Sequence, residues 1–277
     1  MRIDLHTHSD RSDGTDSPTE LVENAARAGL DVVALTDHDA TVGWDEAQAA
    51  ADRVGVRLVR GLEISTQLQG KSVHLLGYEV DPTHGPLLAE LQRVLDGRDN
   101  RLPLILERLG ALGIDVTVED VARWSGNAAA SGRPHVADAL VEKGVVANRD
   151  EAFDRLLKPG RPAYVDRYAA PLHEAVRLVR DAGGVAVVAH PWSRGSDRVM
   201  TPDAIAELAD LGLGGLEVDH NDHSEEQRVR LRSLAADLDL AVTGSSDYHG
   251  TGKIGFPLGC HTTDPEQLQR LLPGVLA

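Results

Sequence analysis

Asp31-Val32-Val33-Ala34-Leu35-Thr36-Asp37-His38-Asp39 is a near-continuous apolar run that breaks into a polar tripeptide. Apolar residues at consecutive positions mark a strand buried on both faces, as in a parallel sheet covered by helices. Upstream, Arg2-Ile3-Asp4-Leu5 reads as a shorter strand breaking into His6-Thr7-His8. Side chains in extended backbone repeat every two residues, so His6 and His8 share a face. Alone, such a pair is as ordinary as any surface or packing histidines. Its weight comes from recurrence along the chain.

Downstream, Arg57-Leu58-Val59-Arg60-Gly61-Leu62-Glu63-Ile64-Ser65 carries Glu63 among apolar neighbours. A buried carboxylate without a partner costs several kcal/mol, so Glu63 needs one. Ser72-Val73-His74-Leu75-Leu76-Gly77-Tyr78 carries His74, which by itself reads as a hydrogen-bonded core histidine. The strand at 184–189 runs into His190-Pro191, that at 215–218 into Asp219-His220, and that at 241–244 into Ser245-Ser246-Asp247-Tyr248-His249. Helical spacing and caps predict helices over 18–28, 44–54, 172–181, 202–209, 225–237 and 265–272.

Strands alternating with helices imply a parallel sheet of about seven strands with right-handed crossovers. A closed barrel gathers strand ends around one centre, and sites in such barrels lie at the carboxyl ends of the strands. The expectation is one polar cluster containing His6, His8, His38, Glu63, His74, His190, His220, Asp247 and His249. The first strand lacks a following Gly-x-Gly-x-x-Gly turn, which argues against a dinucleotide site.

Between 82 and 167 the pattern is helical, with apolar spacing at 87–95 and further helices over 100–112, 118–123 and 134–143. This predicts a barrel from 1–81 and 168–277 with a helical insertion serving as a substrate cap. The insertion carries two basic turns, Ser131-Gly132-Arg133-Pro134-His135 and Lys158-Pro159-Gly160-Arg161-Pro162. These are either anion contacts or solvated loop charges.

Among 277 residues, 28 Lys and Arg face 44 Asp and Glu, a formal charge of −16. That balance argues against duplex DNA or an anionic membrane as partner. A small anionic ligand stays compatible, because bound metal inverts the local field. Cys260 is the only cysteine, so there is no internal disulfide framework, in keeping with a reducing compartment. No apolar run follows a basic head and no stretch of about 20 apolar residues occurs, so a cytoplasmic protein is expected. The sequence gives no oligomeric state.

The chain resembles the polymerase and histidinol phosphatase (PHP) family of metal-dependent phosphoesterases. The matching pieces are Asp4-Leu5-His6-Thr7-His8-Ser9, Ser12-Asp13-Gly14-Thr15, Leu35-Thr36-Asp37-His38, Gly61-Leu62-Glu63-Ile64-Ser65, His74-Leu75-Leu76-Gly77-Tyr78, Ala189-His190-Pro191 and Gly244-Ser245-Ser246-Asp247-Tyr248-His249. The resemblance implies a distorted seven-stranded (β/α) barrel, TIM-like in plan, with two or three divalent transition metals. Gly132-Arg133-Pro134-His135 and Pro162-Ala163-Tyr164-Val165 are similar to the branch that dephosphorylates 3′,5′-nucleoside bisphosphates, some members of which trim short RNA from the 5′ end.

Carried onto this sequence, the resemblance implies His6, His8, Glu63 and Asp247 on one metal. Glu63 would bridge to a second with His74 and His190, and Asp13, His38 and His249 would hold a third. Imidazole and carboxylate donors suit Mn, with Fe or Zn as alternatives. Closely spaced metals clamp a phosphate and lower the pKa of a bound water, so that hydroxide attacks phosphorus in line. Asp13, His38, Glu63, Asp247 and His249 are thereby the implied catalytic set. Asp37 either orients a ligand or caps a helix. Arg133, His135, Lys158, Arg194 and His220 are candidate substrate contacts, His220 otherwise having a structural role. The expected substrate is a small phosphorylated nucleotide or short RNA. The alternatives are another phosphate monoester, such as histidinol phosphate, and a non-catalytic metal-stabilised module.

Overall fold

Strand β2 (Val32–Leu35) is buried at all four positions and lies between β1 (Ile3–Asp4) and β3 (Arg57–Leu68), parallel to both. The structure, a computed structural model, describes residues 1–276, with the Arg194 side chain outside that description. The sheet continues through β4 (Lys71–Tyr78), β6 (Val185–Ala189), β7 (Leu213–Asp219) and β8 (Ala241–Gly244), while the short β5 (Ala170–Pro171) pairs off the path with β3. Beyond the outer strands Thr7 bridges Tyr248, and the His8 N–H donates to the Tyr248 carbonyl at 2.8 Å. The result is a nearly closed seven-strand barrel with helices around it.

The all-parallel expectation fails at β4. It pairs antiparallel with both β3 and β6. The cause is the Gln69-Gly70 turn, where φ is 48° and 74°. Consecutive left-handed residues make a tight hairpin whose twist suits antiparallel strands. His74 therefore lies in the first half of its strand, opposite Ser65, and meets the site from a chain running the other way.

Helices α1 (Pro18–Arg27) and α2 (Trp44–Val54) pack together outside the first strands. Ser17 caps α1 reciprocally with Glu20, as its Ser-Pro-x-Glu start predicts. Helices α3 (Gly85–Ala111), α4 (Val118–Ser125), α5 (Arg133–Glu142) and α6 (Arg149–Ala152) follow β4, the last running into a π-helical turn at Phe153–Leu157. The barrel then resumes with α7 (Leu172–Asp181), α8 (Pro202–Asp210), α9 (Glu225–Asp237) and α10 (Pro265–Leu271).

Two separate helices predicted after residue 82 are one helix of 27 residues, α3, with Pro103 inside it. Its first half adds Leu87, Leu91 and Val94 to the large core between sheet and helices. Its second half adds Leu102, Ile105 and Leu109 to a separate core with Val121, Val136, Leu140 and Leu157. Burial at both ends outweighs the cost of one interior proline. Gly97, at the crossover, lets α3 approach the chain at Tyr168, where an added Cβ would sit 3.2 Å from the Tyr168 Cβ. Inside the barrel, Ile3, Leu5, Val59, Leu76, Tyr78 and Val187 pack with Leu268 and Leu271 of α10.

Candidate metal centre and active site

His6 and His8 do share a face. Their Nε2 atoms are 3.0 Å apart, and both confront Glu63 Oε2, at 3.4 and 3.3 Å, and Asp247 Oδ1, at 3.6 and 3.4 Å. Glu63 also meets His38 Nδ1 at 3.1 Å, His74 Nδ1 at 2.7 Å and His190 Nε2 at 3.4 Å. Asp13 lies 3.3 Å from His249 Nε2 and 3.8 Å from both His38 Nε2 and His8 Nδ1. Thus the nine residues implied as ligands converge, although they come from both ends of the sequence. Ligand atoms of four triads lie within 4.8 Å of one another: His6-Glu63-His190, His6-His8-Asp247, His8-His38-Glu63 and His8-Asp13-His249. His8 belongs to three of them, so it sits at the middle of the cluster.

Local structure aims these groups. Asp37 accepts hydrogen bonds from the Ser9 N–H at 2.8 Å and from the Ser9 and Ser12 hydroxyls, both at 2.6 Å. It caps no helix; it fixes the turn that delivers Asp13. Gly14 in that turn is obligatory, since a Cβ would come within 2.3 Å of the His8 carbonyl oxygen. His190 and Asp247 hold φ of 28° and 53°. Non-glycine residues seldom adopt such angles, and their cost is borne by the surrounding structure.

Ring hydrogen bonds set which nitrogens face inward. His6 Nδ1 donates to Glu217 at 3.0 Å and His249 Nδ1 to the Asp247 carbonyl at 2.9 Å, leaving each Nε2 with its lone pair toward the cluster. Burial opposes charge on His6, yet Glu217, Glu63 and Asp247 outweigh it and raise its pKa well above the usual value. Burial likewise opposes ionisation of Glu63, but His74, His38 and His6 hold it well below the carboxylate range. Asp247 is held well below its ordinary value against burial, by Lys253, His6 and His249. Asp13 is held low by His249 and His38. Ionised carboxylates and imidazole nitrogens converging in a buried cluster make a donor set suited to divalent transition metals.

The substrate candidates divide. His220 is buried, with Nε2 3.3 Å from Asp247 Oδ2 and Nδ1 accepting the Asp222 N–H at 3.0 Å. His135 accepts the Gly132 N–H at 3.0 Å and lines, with Gly132 and Arg98, a cavity that reaches Asp13 and His38. Arg133 donates to the Leu157 carbonyl at 3.0 Å and lies over the Phe153 and Tyr164 rings. Lys158 is turned into an exposed pair with Asp154, 2.6 Å away on the preceding turn, so nothing brings it to the centre. The Arg194 side chain, the remaining candidate, lies outside the description.

Sequence reasoning missed several partners. Glu217 accepts from His6 and, through Oε2, from the His190 N–H at 2.9 Å, and it is fully buried. Its signal was present: an acid inside an apolar strand, as for Glu63. Lys253 contacts Asp247 Oδ2, and Arg149 binds Asp138 through two nitrogens while donating to the Asp13 carbonyl at 3.0 Å. No spacing rule marks these long-range contacts.

A family model described as PHP domain matches residues 4–158. The chain belongs to the PHP family. As a member it is a metal-dependent phosphoesterase, a hydrolase. It is 36% identical to a 3′,5′-nucleoside bisphosphate phosphatase of Chromobacterium violaceum, over 95% of this chain and 92% of that protein. It is also 36% identical to a 5′-3′ exoribonuclease of Haemophilus influenzae, over 93% and 91% of the two chains. A Bifidobacterium adolescentis protein solved as a candidate metal-dependent phosphoesterase superposes with a TM-score of 0.93 at 37% identity, covering 98% and 95% of the two chains. Among the described residues, no helix is long and apolar enough to cross a membrane.

Proposed function

We propose that this PHP phosphoesterase removes the 3′-phosphate from 3′,5′-nucleoside bisphosphates. The observation that carries the reading is the cavity in which Asp13 and His38, from the acidic cluster, face Arg98, Gly132 and His135 from the helical segment. One wall suits metals and a reacting phosphate. The other offers cationic and N–H groups to a second anionic group of the same ligand. In this reading residues 82–167 form a substrate cap on a barrel of residues 1–81 and 168–277.

His6, His8, Asp13, His38, Glu63, His74, His190, Asp247 and His249 would hold two or three divalent ions, Mn²⁺ foremost. When bound, such ions supply Lewis-acid charge and lower the pKa of coordinated water. The chain's own part is to keep Glu63, Asp13 and Asp247 ionised and to hold the imidazoles in the required tautomers. His220 accepts at Nδ1, so Nε2 carries its proton beside Asp247, placed to protonate a leaving oxygen. The similarity to an exoribonuclease supports a second reading, trimming of short RNA from the 5′ end.

Turnover of 3′-phosphoadenosine 5′-phosphate, histidinol phosphate and short 5′-phosphorylated RNA by the Mn²⁺-loaded protein tests both. The bisphosphate should give the highest kcat/KM. A clear preference for histidinol phosphate would remove the nucleotide reading, and a preference for RNA would select the second.

A further inference from the structure

The neighbouring parallel strands β6 and β7 end in two turns of the same kind. His190 opens the first, its carbonyl accepting the Ser193 N–H at 2.9 Å, and His220 opens the second, its carbonyl accepting the His223 N–H at 3.1 Å. The His190 and His220 rings lie 5.0 Å apart. His223 closes the second turn and reaches into the first. Its Nδ1 donates to the Val218 carbonyl at 2.8 Å, and its Nε2 accepts the Trp192 N–H at 3.3 Å. The residue is only 3% exposed.

These two bonds leave the ring one state. A carbonyl can only accept, so Nδ1 carries the proton; a backbone N–H can only donate, so Nε2 keeps its lone pair. Neutral imidazole meets both demands and imidazolium cannot. Burial lowers the His223 pKa, which favours the neutral ring. What the Nε2 bond steadies is a strained place. His190 holds a φ of 28°, and such backbone persists only where its surroundings over-determine it. Glu217 accepts the His190 N–H at 2.9 Å, Ser193 Oγ meets His190 Nδ1 at 2.9 Å, and the Trp192 indole N–H donates to the Met200 carbonyl at 2.8 Å. The His223 bond to Trp192 adds a restraint that comes from the His220 turn.

We propose that His223 is a positioning residue that locks the His190 and His220 turns into one unit, so that a metal-binding imidazole and the leaving-group acid are set together. The proposal rests on the function put forward above for the roles of His190 and His220. His223 itself acts through Trp192 on one side and through its own turn on the other. Two amide substitutions separate its two bonds. Glutamine places an amide oxygen close to the Nε2 position and can still accept from Trp192. Asparagine places an amide nitrogen close to the Nδ1 position and keeps the Val218 bond alone.

The test compares full-length wild type with His223→Asn and His223→Gln. In chelator competition, His223→Asn should bind one equivalent of Mn²⁺ roughly ten- to a hundredfold more weakly and hold the rest as wild type does, because His190 belongs to one of the four triads. With Mn²⁺ saturating, kcat for adenosine 3′,5′-bisphosphate, whose leaving alkoxide needs a proton, should fall roughly ten- to a hundredfold. For p-nitrophenyl phosphate, whose leaving group needs none, kcat should fall no more than about threefold, and KM for the bisphosphate should stay within about threefold. His223→Gln should recover most of both losses. Equal impairment of the Asn and Gln variants with matching falls in Tm would reduce His223 to a packing residue. Wild-type metal affinity in His223→Asn would overturn its hold on His190, and equal falls in kcat on both substrates would overturn its hold on His220. The chelator measurement uses no substrate, so it judges His223 whether or not wild type prefers the bisphosphate, a preference that judges the functional reading alone.

Discussion

Glu217 accepts a hydrogen bond from His6 Nδ1 at 3.0 Å while the opposite nitrogen of the same ring faces His8, Glu63 and Asp247. The second carboxylate oxygen of Glu217 accepts the His190 N–H, so one buried acid positions two residues of the proposed metal set. Glutamine has one acceptor oxygen and a donor amide, and cannot satisfy both partners.

Glu217→Gln is therefore expected to lower metal affinity by roughly 10- to 100-fold, the usual consequence of losing a group that orients a metal-binding imidazole. Competition against a chelator of known affinity measures it. Affinity within about twofold of wild type would show that Glu217 does not set the His6 tautomer.

The number of bound ions is a second expectation. Four overlapping triads exceed what one ion can use. Protein purified without chelator from metal-replete cells should carry more than one equivalent of transition metal by elemental analysis. At most one equivalent would argue for a mononuclear centre.

Glu63 stands between these triads, with one oxygen toward His6, His8 and His38 and the other toward His74 and His190. Glu63→Gln keeps the size and removes the shared charge. Turnover should drop at least about a hundredfold, with reduced metal content. Near-wild-type turnover with full metal would exclude a bridging role.

The legible part of this molecule was local. Buried apolar runs ending in polar residues announced β2, β6, β7 and β8, and helical spacing bounded α1, α2, α7 and α9 closely. Glu63 was conspicuous because a carboxylate in an apolar strand needs a partner. Glu217 gave the same signal, but the sequence-based reading attached function to strand ends, and Glu217 precedes the end of β7. The reversal of β4 escaped because a two-residue Gln69-Gly70 hairpin carries a weaker signature than Asn-Gly, while the strand–helix alternation elsewhere favoured a uniform parallel pattern. The joining of two helices into α3 is a tertiary effect, driven by two cores at its two ends. Lys158 looked like a phosphate contact because it is basic and beside a tight turn. Its neighbour Asp154, four residues back, neutralises it locally.

The Asp39–Arg98 pair gives a stability prediction. Both partners are buried, and Asp39 also receives the Ser65 N–H at 2.7 Å. Asp39→Ala leaves Arg98 buried without its carboxylate, beside Arg101. Chemical denaturation should show a loss of about 3–5 kcal/mol, the range for breaking a buried ion pair by removing one partner. A loss below about 1 kcal/mol would mean that solvent reaches Arg98 and that the pair is effectively a surface one.

Arg133 combines a structural and a substrate role, and the two can be told apart. Its Nη1 donates to the Leu157 carbonyl at 3.0 Å, and its guanidinium lies 5.5 Å from the Phe153 ring centroid and 5.4 Å from that of Tyr164. Those contacts hold α5 against the π-helical turn, so Arg133→Ala should lower Tm somewhat. A looser cap would slow every substrate. Loss of a phosphate contact would instead fall on ligands that carry a second phosphate, by a further 10- to 100-fold in kcat/KM, equivalent to about 1.4–2.7 kcal/mol. The decisive quantity is the ratio of kcat/KM for adenosine 3′,5′-bisphosphate to that for p-nitrophenyl phosphate, because folding losses cancel in it. Arg133→Lys sharpens the comparison: it retains a cation but not the planar fork, and should recover part of the ratio without restoring the ring stacking. A ratio equal to wild type in Arg133→Ala would confine Arg133 to packing and remove it from the substrate site.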